Sequence, residues 1–304
     1  RGARELCMYV SLRAFLQALE ERNDLLRVRR EVDPKFELAA VLKRIQRTSN
    51  LPVIFEKVRG SRYPVVSNTC GNTRIVAAMI GTTESRVAAR WAEITAGDGK
   101  APTEFFSDEK SELDEISLAD VPHLIFSEKD AGPYITAGMI TVRDPDSGVQ
   151  NVSYHRSQMI SPTELRCRLS TSGDLFRVHK KLEDRGKPLE AAMLIGCAPA
   201  LMLAGATTIG PDNSELDFAA RIAGMRFPMR ACDTIDLSVP STTEFVIEGE
   251  LLAGERRPEG PYGDWMDYYI PVMNNHVFRV RKALARKNAM FYAVAAGSPE
   301  EMAM

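Results

Sequence analysis

Glu259 and Asp264 stand five residues apart in Arg257-Pro258-Glu259-Gly260-Pro261-Tyr262-Gly263-Asp264-Trp265-Met266-Asp267-Tyr268-Tyr269. Two prolines fix φ there, and two glycines open backbone conformations that other residues avoid. The spacing predicts a stiff loop rather than a helix or a sheet interior. A stiff loop can hold two carboxylates in set directions, as proton transfer to or from a bound molecule requires. Composition alone does not separate this from a surface turn with solvated acids and half-buried rings.

Two other stretches offer partners for such acids. Val149-Gln150-Asn151-Val152-Ser153-Tyr154-His155-Arg156 alternates as a strand but is rich in polar side chains. An amide and an arginine on one strand suit a lined cavity, and an edge strand with one wet face explains them too. Arg156 can hold a carboxylate with two parallel hydrogen bonds, and Asn151 offers oxygen to a hard cation. Thr207-Thr208-Ile209-Gly210-Pro211-Asp212-Asn213-Ser214-Glu215 is a small-residue loop opening a helix. Asn213 or Ser214 can cap it, and Glu215 in the first turn suits the helix dipole. The functional alternative puts phosphate on the loop amides and a divalent metal on Glu215. Gly205-Ala206-Thr207 would let a flat ring approach the backbone, although small residues also serve tight packing. Together these make an anion site: one arginine, two loop acids and an Asn/Glu metal pair. No Ser-His-Asp order, G-x-G-x-x-G or P-loop is present.

The elements that must position these residues can be read from periodicity. Leu12, Phe15, Leu16 and Leu19 repeat at helical spacing after Ser11, a suitable N-cap. Leu25 to Val32 alternates as a half-wet strand, and 38–45 reads as a second helix. Residues 52–58 and 63–67 read as strands, and 75–80 and 87–94 as helices. The acidic, weakly periodic stretch 96–118 reads as a connector. Strands are predicted at 134–142, 149–160, 191–195, 243–252, 277–280 and 290–294, with helices at 176–183 and 216–223.

The chain has 304 residues, 44% apolar and 26% charged, enough for a large core. A net charge of -2 gives no basic field for nucleic acid. No apolar run is long enough to span a bilayer, and no signal-type apolar stretch follows Arg1, so a cytoplasmic location with no membrane partner is expected. Cys7, Cys70, Cys167, Cys197 and Cys232 are scattered and read as reduced thiols. His123, His155, His179 and His276 show no metal-binding spacing.

Three segments, in order, carry a resemblance to the UbiD-type (de)carboxylases, which use prenylated FMN. They are Ser11–Leu16 through Glu31-Val32-Asp33-Pro34, then Asn151-x-x-x-x-Arg156, and Asp233 through Pro258-Glu259-Gly260-Pro261-Tyr262-Gly263-Asp264. The resemblance covers almost the whole chain. It implies an α+β fold, with an N-terminal α/β domain (1–105), a connector (106–118) and a split β-barrel flavin-binding domain (119–294). Residues 295–304 would lead towards a C-terminal domain that the family carries and this chain lacks. It implies Arg156, Glu259 and Asp264 as catalytic residues, Asp264 standing where some members have Glu. It implies Mn2+ or Mg2+, assisted by K+, on Asn151 and Glu215, with Asp174 where some members have a histidine ligand. Ser153, Tyr154, His155, Arg156, Gly205, Ala206 and Thr207 would meet the cofactor. Strand alternation turns His155 away from Arg156 and favours a structural role for it. The implied reaction is reversible non-oxidative decarboxylation of an aromatic, heteroaromatic or α,β-unsaturated acid, with Glu259 as proton donor. Implied partners are the acid, CO2, a flavin prenyltransferase that supplies the cofactor, and further copies in a homodimer or homohexamer. A non-catalytic flavin-binding subunit and a flavin-independent metal hydrolase are the alternatives.

Overall fold

In the computed structural model the described residues are 9–96, 100–106, 112–210, 212–266 and 268–303. Residues 1–8 with Cys7, 97–99, 107–111 of the expected connector, Pro211, Asp267 and Met304 lie outside them.

Helix α1 (Leu12–Glu21) starts where the Ser11 hydroxyl accepts the Ala14 N–H at 3.2 Å, and its Leu12, Phe15, Leu16 and Leu19 face is buried. β1 (Leu26–Val32), α2 (Glu37–Arg47), β2 (Val53–Val58), β3 (Val65–Ser67), α3 (Thr73–Met79) and α4 (Val87–Thr95) follow. β1 pairs parallel with β2, and β2 antiparallel with β3.

The second run is β-rich. It holds β4 (Leu113–Ile116), β5 (Tyr134–Ile135), β6 (Met139–Arg143), β7 (Gln150–Tyr154), β8 (Ser157–Ser161), β9 (Glu164–Cys167) and α5 (Asp174–Glu183). β10 (Leu189–Ile195), α6 (Pro199–Gly205), α7 (Glu215–Ala223), β11 (Met229–Ala231) and β12 (Ser238–Pro240) come next. The chain ends with β13 (Phe245–Glu259), β14 (Tyr262–Gly263), β15 (Tyr269–Ile270), β16 (Met273–Arg286), β17 (Phe291–Tyr292) and α8 (Pro299–Ala303). A nine-stranded sheet runs β5-β8-β9-β16-β13-β10-β6-β7, with β4 also on β16. It is open, with β5 and β7 at its ends, and the mixed α+β class expected from the sequence holds.

Four local readings change. The strand expected at 149–160 is two strands, β7 and β8. At His155-Arg156 the chain leaves β6 as its partner and takes up β5 and β9. The segment read as pure loop begins as sheet: Arg257, Pro258 and Glu259 pair with Asn275, Asn274 and Met273 at the end of β13. Pro258 is tolerated beside this strand end, where its carbonyl accepts Arg166 Nη1 at 2.6 Å. Leu113–Ile116, inside the expected connector, pairs with β16. β17 leaves the second sheet and joins the first, parallel to β3.

Two buried acids tie the runs together. Glu244, at the root of β13, accepts Arg13 Nε at 2.7 Å and the Met290 N–H at 2.9 Å. Glu300, on α8, accepts the N–H groups of Asn68 (2.6 Å) and Cys70 (3.1 Å) and the hydroxyls of Thr69 (3.0 Å) and Tyr292 (2.8 Å).

Candidate active site

Glu259 is the last residue of β13, and its side chain is 1% exposed. Three donors converge on it, two from strands and one from a strand corner. The Tyr134 hydroxyl donates to Oε1 at 2.7 Å. Asn275 Nδ2 and Arg156 Nη2 donate to Oε2 at 2.7 and 3.2 Å. Arg156 sits at the corner between β7 and β8, so its guanidinium leaves the sheet there. Its Nη1 lies 3.5 Å from Asp264 Oδ1, and its Cζ lies 4.6 Å from the Tyr262 ring centroid. One arginine thus bridges the two acids across an aromatic face.

The turn after Glu259 is held from outside. Gly260 takes φ +95, a region that side chains avoid, and its N–H reaches Gln158 Oε1 at 3.1 Å. The Gly263 N–H donates to Asp130 Oδ1 at 2.8 Å, and the Ser127 N–H to Oδ2 at 2.8 Å. Burial nevertheless holds the Asp130 carboxyl above its ordinary range. Tyr134 and Tyr262 meet tilted at 51° with 4.5 Å between centroids, and burial pushes both phenols up, so both stay protonated.

Arg156, Asp264 and Tyr262 face a cavity of about 480 Å3, also lined by Thr136, Tyr154, His155, Arg168 and Trp265. That volume suits a small ligand or flavin ring. Two buried polar atoms on its wall, the Tyr154 hydroxyl and Arg156 Nε, have no hydrogen-bond partner among the described residues. His155 is fixed: Nδ1 lies 3.1 Å from the Arg168 carbonyl, which can only accept, so Nε2 accepts from Ser153 Oγ at 2.9 Å. Burial lowers its pKa to about 4, and the ring is neutral.

Behind β7 lies the Asn/Glu pair. Ser214 caps α7 and reaches the Gln150 carbonyl at 2.8 Å. This turns Glu215 onto β7, where Oε2 accepts the Val152 N–H at 2.8 Å and Oε1 accepts Asn151 Nδ2 at 3.1 Å. Both side chains are buried, and no cation pairs with Glu215 among the described residues. Burial pushes the Glu215 carboxyl up to about 7, and the charge of Asp174 adds to this. A buried carboxylate with an amide neighbour and no counter-charge is an oxygen donor set that fits a hard divalent cation. Asp174 itself pairs with Arg177 at 2.8 Å and faces a separate groove along α5. Gly205 packs against Met139 and the Tyr154 ring, where a Cβ would collide, and Ala206 and Thr207 continue away from it.

Sequence reasoning missed Tyr134, Asn275, Tyr262, Asp130 and Arg168. The only signal for Asn275 was an Asn-Asn-His run in an otherwise apolar strand. Tyr134 reads as an ordinary core aromatic until Glu259 is placed above it.

Two family profiles match the chain. The 3-octaprenyl-4-hydroxybenzoate carboxy-lyase N-terminal domain covers residues 16–95, and the Rift-related domain of that carboxy-lyase covers residues 99–299. Anhydromevalonate phosphate decarboxylase of Methanothermobacter thermautotrophicus is 33% identical over 288 residues, 93% of this chain. This chain spans 65% of that relative, less than two thirds of its length. The evolved dimeric form of the UbiD-class enzyme HmfF from Pelotomaculum thermopropionicum, in complex with prFMN, matches with a TM-score of 0.89 at 33% identity. That match covers 96% of this chain and 69% of HmfF. Vanillic acid decarboxylase of Sedimentibacter hydroxybenzoicus in closed form matches with a TM-score of 0.88 at 26% identity, covering 96% of this chain and 65% of the other.

Proposed function

The chain belongs to the UbiD family, and from that premise we propose that it carries out reversible non-oxidative decarboxylation of an aromatic, heteroaromatic or α,β-unsaturated carboxylic acid. One observation carries this reading: a buried acid, Glu259, is held by Tyr134, Asn275 and Arg156, and that same arginine lines a cavity together with Asp264.

Prenylated FMN, when bound, supplies the electron sink that no protein side chain offers to the charge left by departing CO2. Tyr154, His155 and Arg156 form the wall that would meet it, with Ser153 fixing His155 and Gly205 backing Tyr154. Ala206 and Thr207 complete the cofactor group of our reading. Asn151 and Glu215 would hold Mn2+ or Mg2+, with Asp174 near enough to act on Glu215 electrostatically and K+ assisting. Arg156 orients the substrate carboxylate. Glu259 holds the proton and delivers it to carbon, its direction set by Tyr134 and Asn275. Asp264, on the far side of Arg156, keeps that guanidinium in register. We assign the protein to the cytoplasm, as a homodimer or homohexamer supplied by a flavin prenyltransferase.

The test is co-expression with a flavin prenyltransferase, followed by absorbance spectra and CO2 release from a panel of acids. Glu259→Gln is expected to lower turnover by ~10²–10⁴-fold, the span of general acid–base catalysis, with cofactor absorbance unchanged. A fully active Glu259→Gln protein would sink the assignment.

A further inference from the structure

A second acid lines the same cavity beside Asp264. Glu301, on α8, is one of its lining residues, together with Arg156, Asp264 and Trp265. Its placement is built. Glu300, beside it, is clamped by Asn68, Thr69, Cys70 and Tyr292. Glu301 itself accepts the Gly297 N–H through Oε2 at 2.7 Å, and its own N–H donates to Ser298 Oγ at 3.1 Å. The other oxygen, Oε1, accepts from no protein donor among the described residues. Burial raises the carboxyl, and the neighbouring charge of Asp264 raises it further, while Arg156 opposes both. That arginine is already shared between Glu259 and Asp264. Arg168 also lines the cavity, with its carbonyl on His155.

We propose that Glu301 is a specificity-determining residue, and that its free carboxylate oxygen accepts a hydrogen bond from an amino or hydroxyl group on the substrate. A donor there satisfies a part-buried oxygen that water would otherwise serve. A second carboxylate at that point on the substrate would meet Asp264 and Glu301 together and be repelled. The site therefore takes a monocarboxylic acid bearing an amino or hydroxyl donor and rejects the matched dicarboxylic acid. This assignment rests on the decarboxylase reading only for the identity of the ligand as an acid.

The test compares matched acids in the cofactor-loaded, full-length protein. The probes are benzoic, 4-hydroxybenzoic, 3,4-dihydroxybenzoic, 4-aminobenzoic and terephthalic acid, with cinnamic acid and its 4-hydroxy and 4-carboxy forms. Calorimetric Kd and CO2 release are both read. We expect donor-bearing acids to bind at least 10-fold tighter than the dicarboxylic acids. Glu301→Gln keeps an acceptor for the Gly297 N–H, so α8 stays capped. That variant is expected to narrow the donor-over-diacid preference by 10-fold or more while changing the unsubstituted acids less than 3-fold. Glu301→Ala should act in the same direction. Preference for the diacid in the parent protein, an unchanged ratio in Glu301→Gln, or binding of none of the acids overturns the proposal. CO2 release with no dependence on Glu301 removes this proposal and leaves the decarboxylase reading standing. Selective, Glu301-dependent binding without CO2 release does the reverse.

Discussion

Three neutral or cationic donors surround the Glu259 carboxylate, from β5, from β16 and from the corner between β7 and β8. Tyr134→Phe removes one donor without changing the shape of the ring. A hydrogen bond to a charged group contributes ~1.5–3 kcal/mol, so turnover is expected to fall by about 10- to 100-fold. Single-turnover rates at saturating acid measure this, and a rate within twofold of the parent would show that Tyr134 only packs. His155 gives a prediction of the opposite kind, on stability. Its pKa is about 4 in the fold, against 6.5 for the free side chain. As pH falls, the unfolded chain binds that proton first, so stability is fully present above 6.5 and is lost as pH drops towards 4. The slope from one such site reaches ~1.4 kcal/mol per pH unit. His155→Gln is expected to flatten that part of the Tm-against-pH curve. At this scale the sequence was informative about charge and poor about support. Arg156, Glu259 and Asp264 stood out as candidates because charged residues in polar strands or rigid loops need a reason. An edge strand and a surface turn explained them equally well until the family resemblance was added. Tyr134 did not stand out, because a buried tyrosine in a strand is ordinary until its hydroxyl has a partner.

Strands β13 and β16 are the long elements, and the site hangs on their far end. Gly249 lies midway along β13, where a Cβ would run into the Arg279 carbonyl oxygen and come 2.7 Å from the Phe278 ring. Gly249→Ala must therefore push β16 outward. It is expected to cost ~1–3 kcal/mol, as overpacking in cores does, and to displace Glu259 relative to Arg156. Thermal denaturation and turnover should fall together, and a variant that loses stability but keeps full turnover would break the link between strand and site. The reach of β13 was not legible. Gly254 and Pro258 look like strand terminators, yet pairing with β16 resumes at Arg256 and carries through Pro258 to Glu259. The break between β7 and β8 was hidden for the converse reason, since no proline or glycine marks His155-Arg156, where the pairing partner changes.

Across the whole molecule, the first sheet is finished by the last strand. β17 pairs with β3, and Glu300 fills the hydrogen-bonding needs of the loop at Asn68–Cys70. A fragment ending at residue 105 would leave β3 as a bare edge and those amides without an acceptor. Such a fragment is expected to show little protection in amide hydrogen exchange for β3 and α3, compared with the same segments in the whole chain. Equal protection would mean that the first sheet is autonomous. The sequence could not disclose this closure. The strand at 290–294 was legible but its partner in the first sheet was not, and a glutamate in the Pro299-Glu300-Glu301 run looks like any solvated charge.

Glu259 belongs to a strand, whereas Asp264 and Trp265 belong to the turn that follows it, and Glu301 to a short helix arriving from elsewhere. The turn from Gly260 to Val272 begins and ends on adjacent, paired positions of β13 and β16. It is therefore a cassette: both of its ends are already fixed to each other, and exchanging the residues around Asp264 leaves Glu259 where it was. Lineages can vary diet at constant chemistry through such a part, and a protein engineer can graft it between relatives on the same terms.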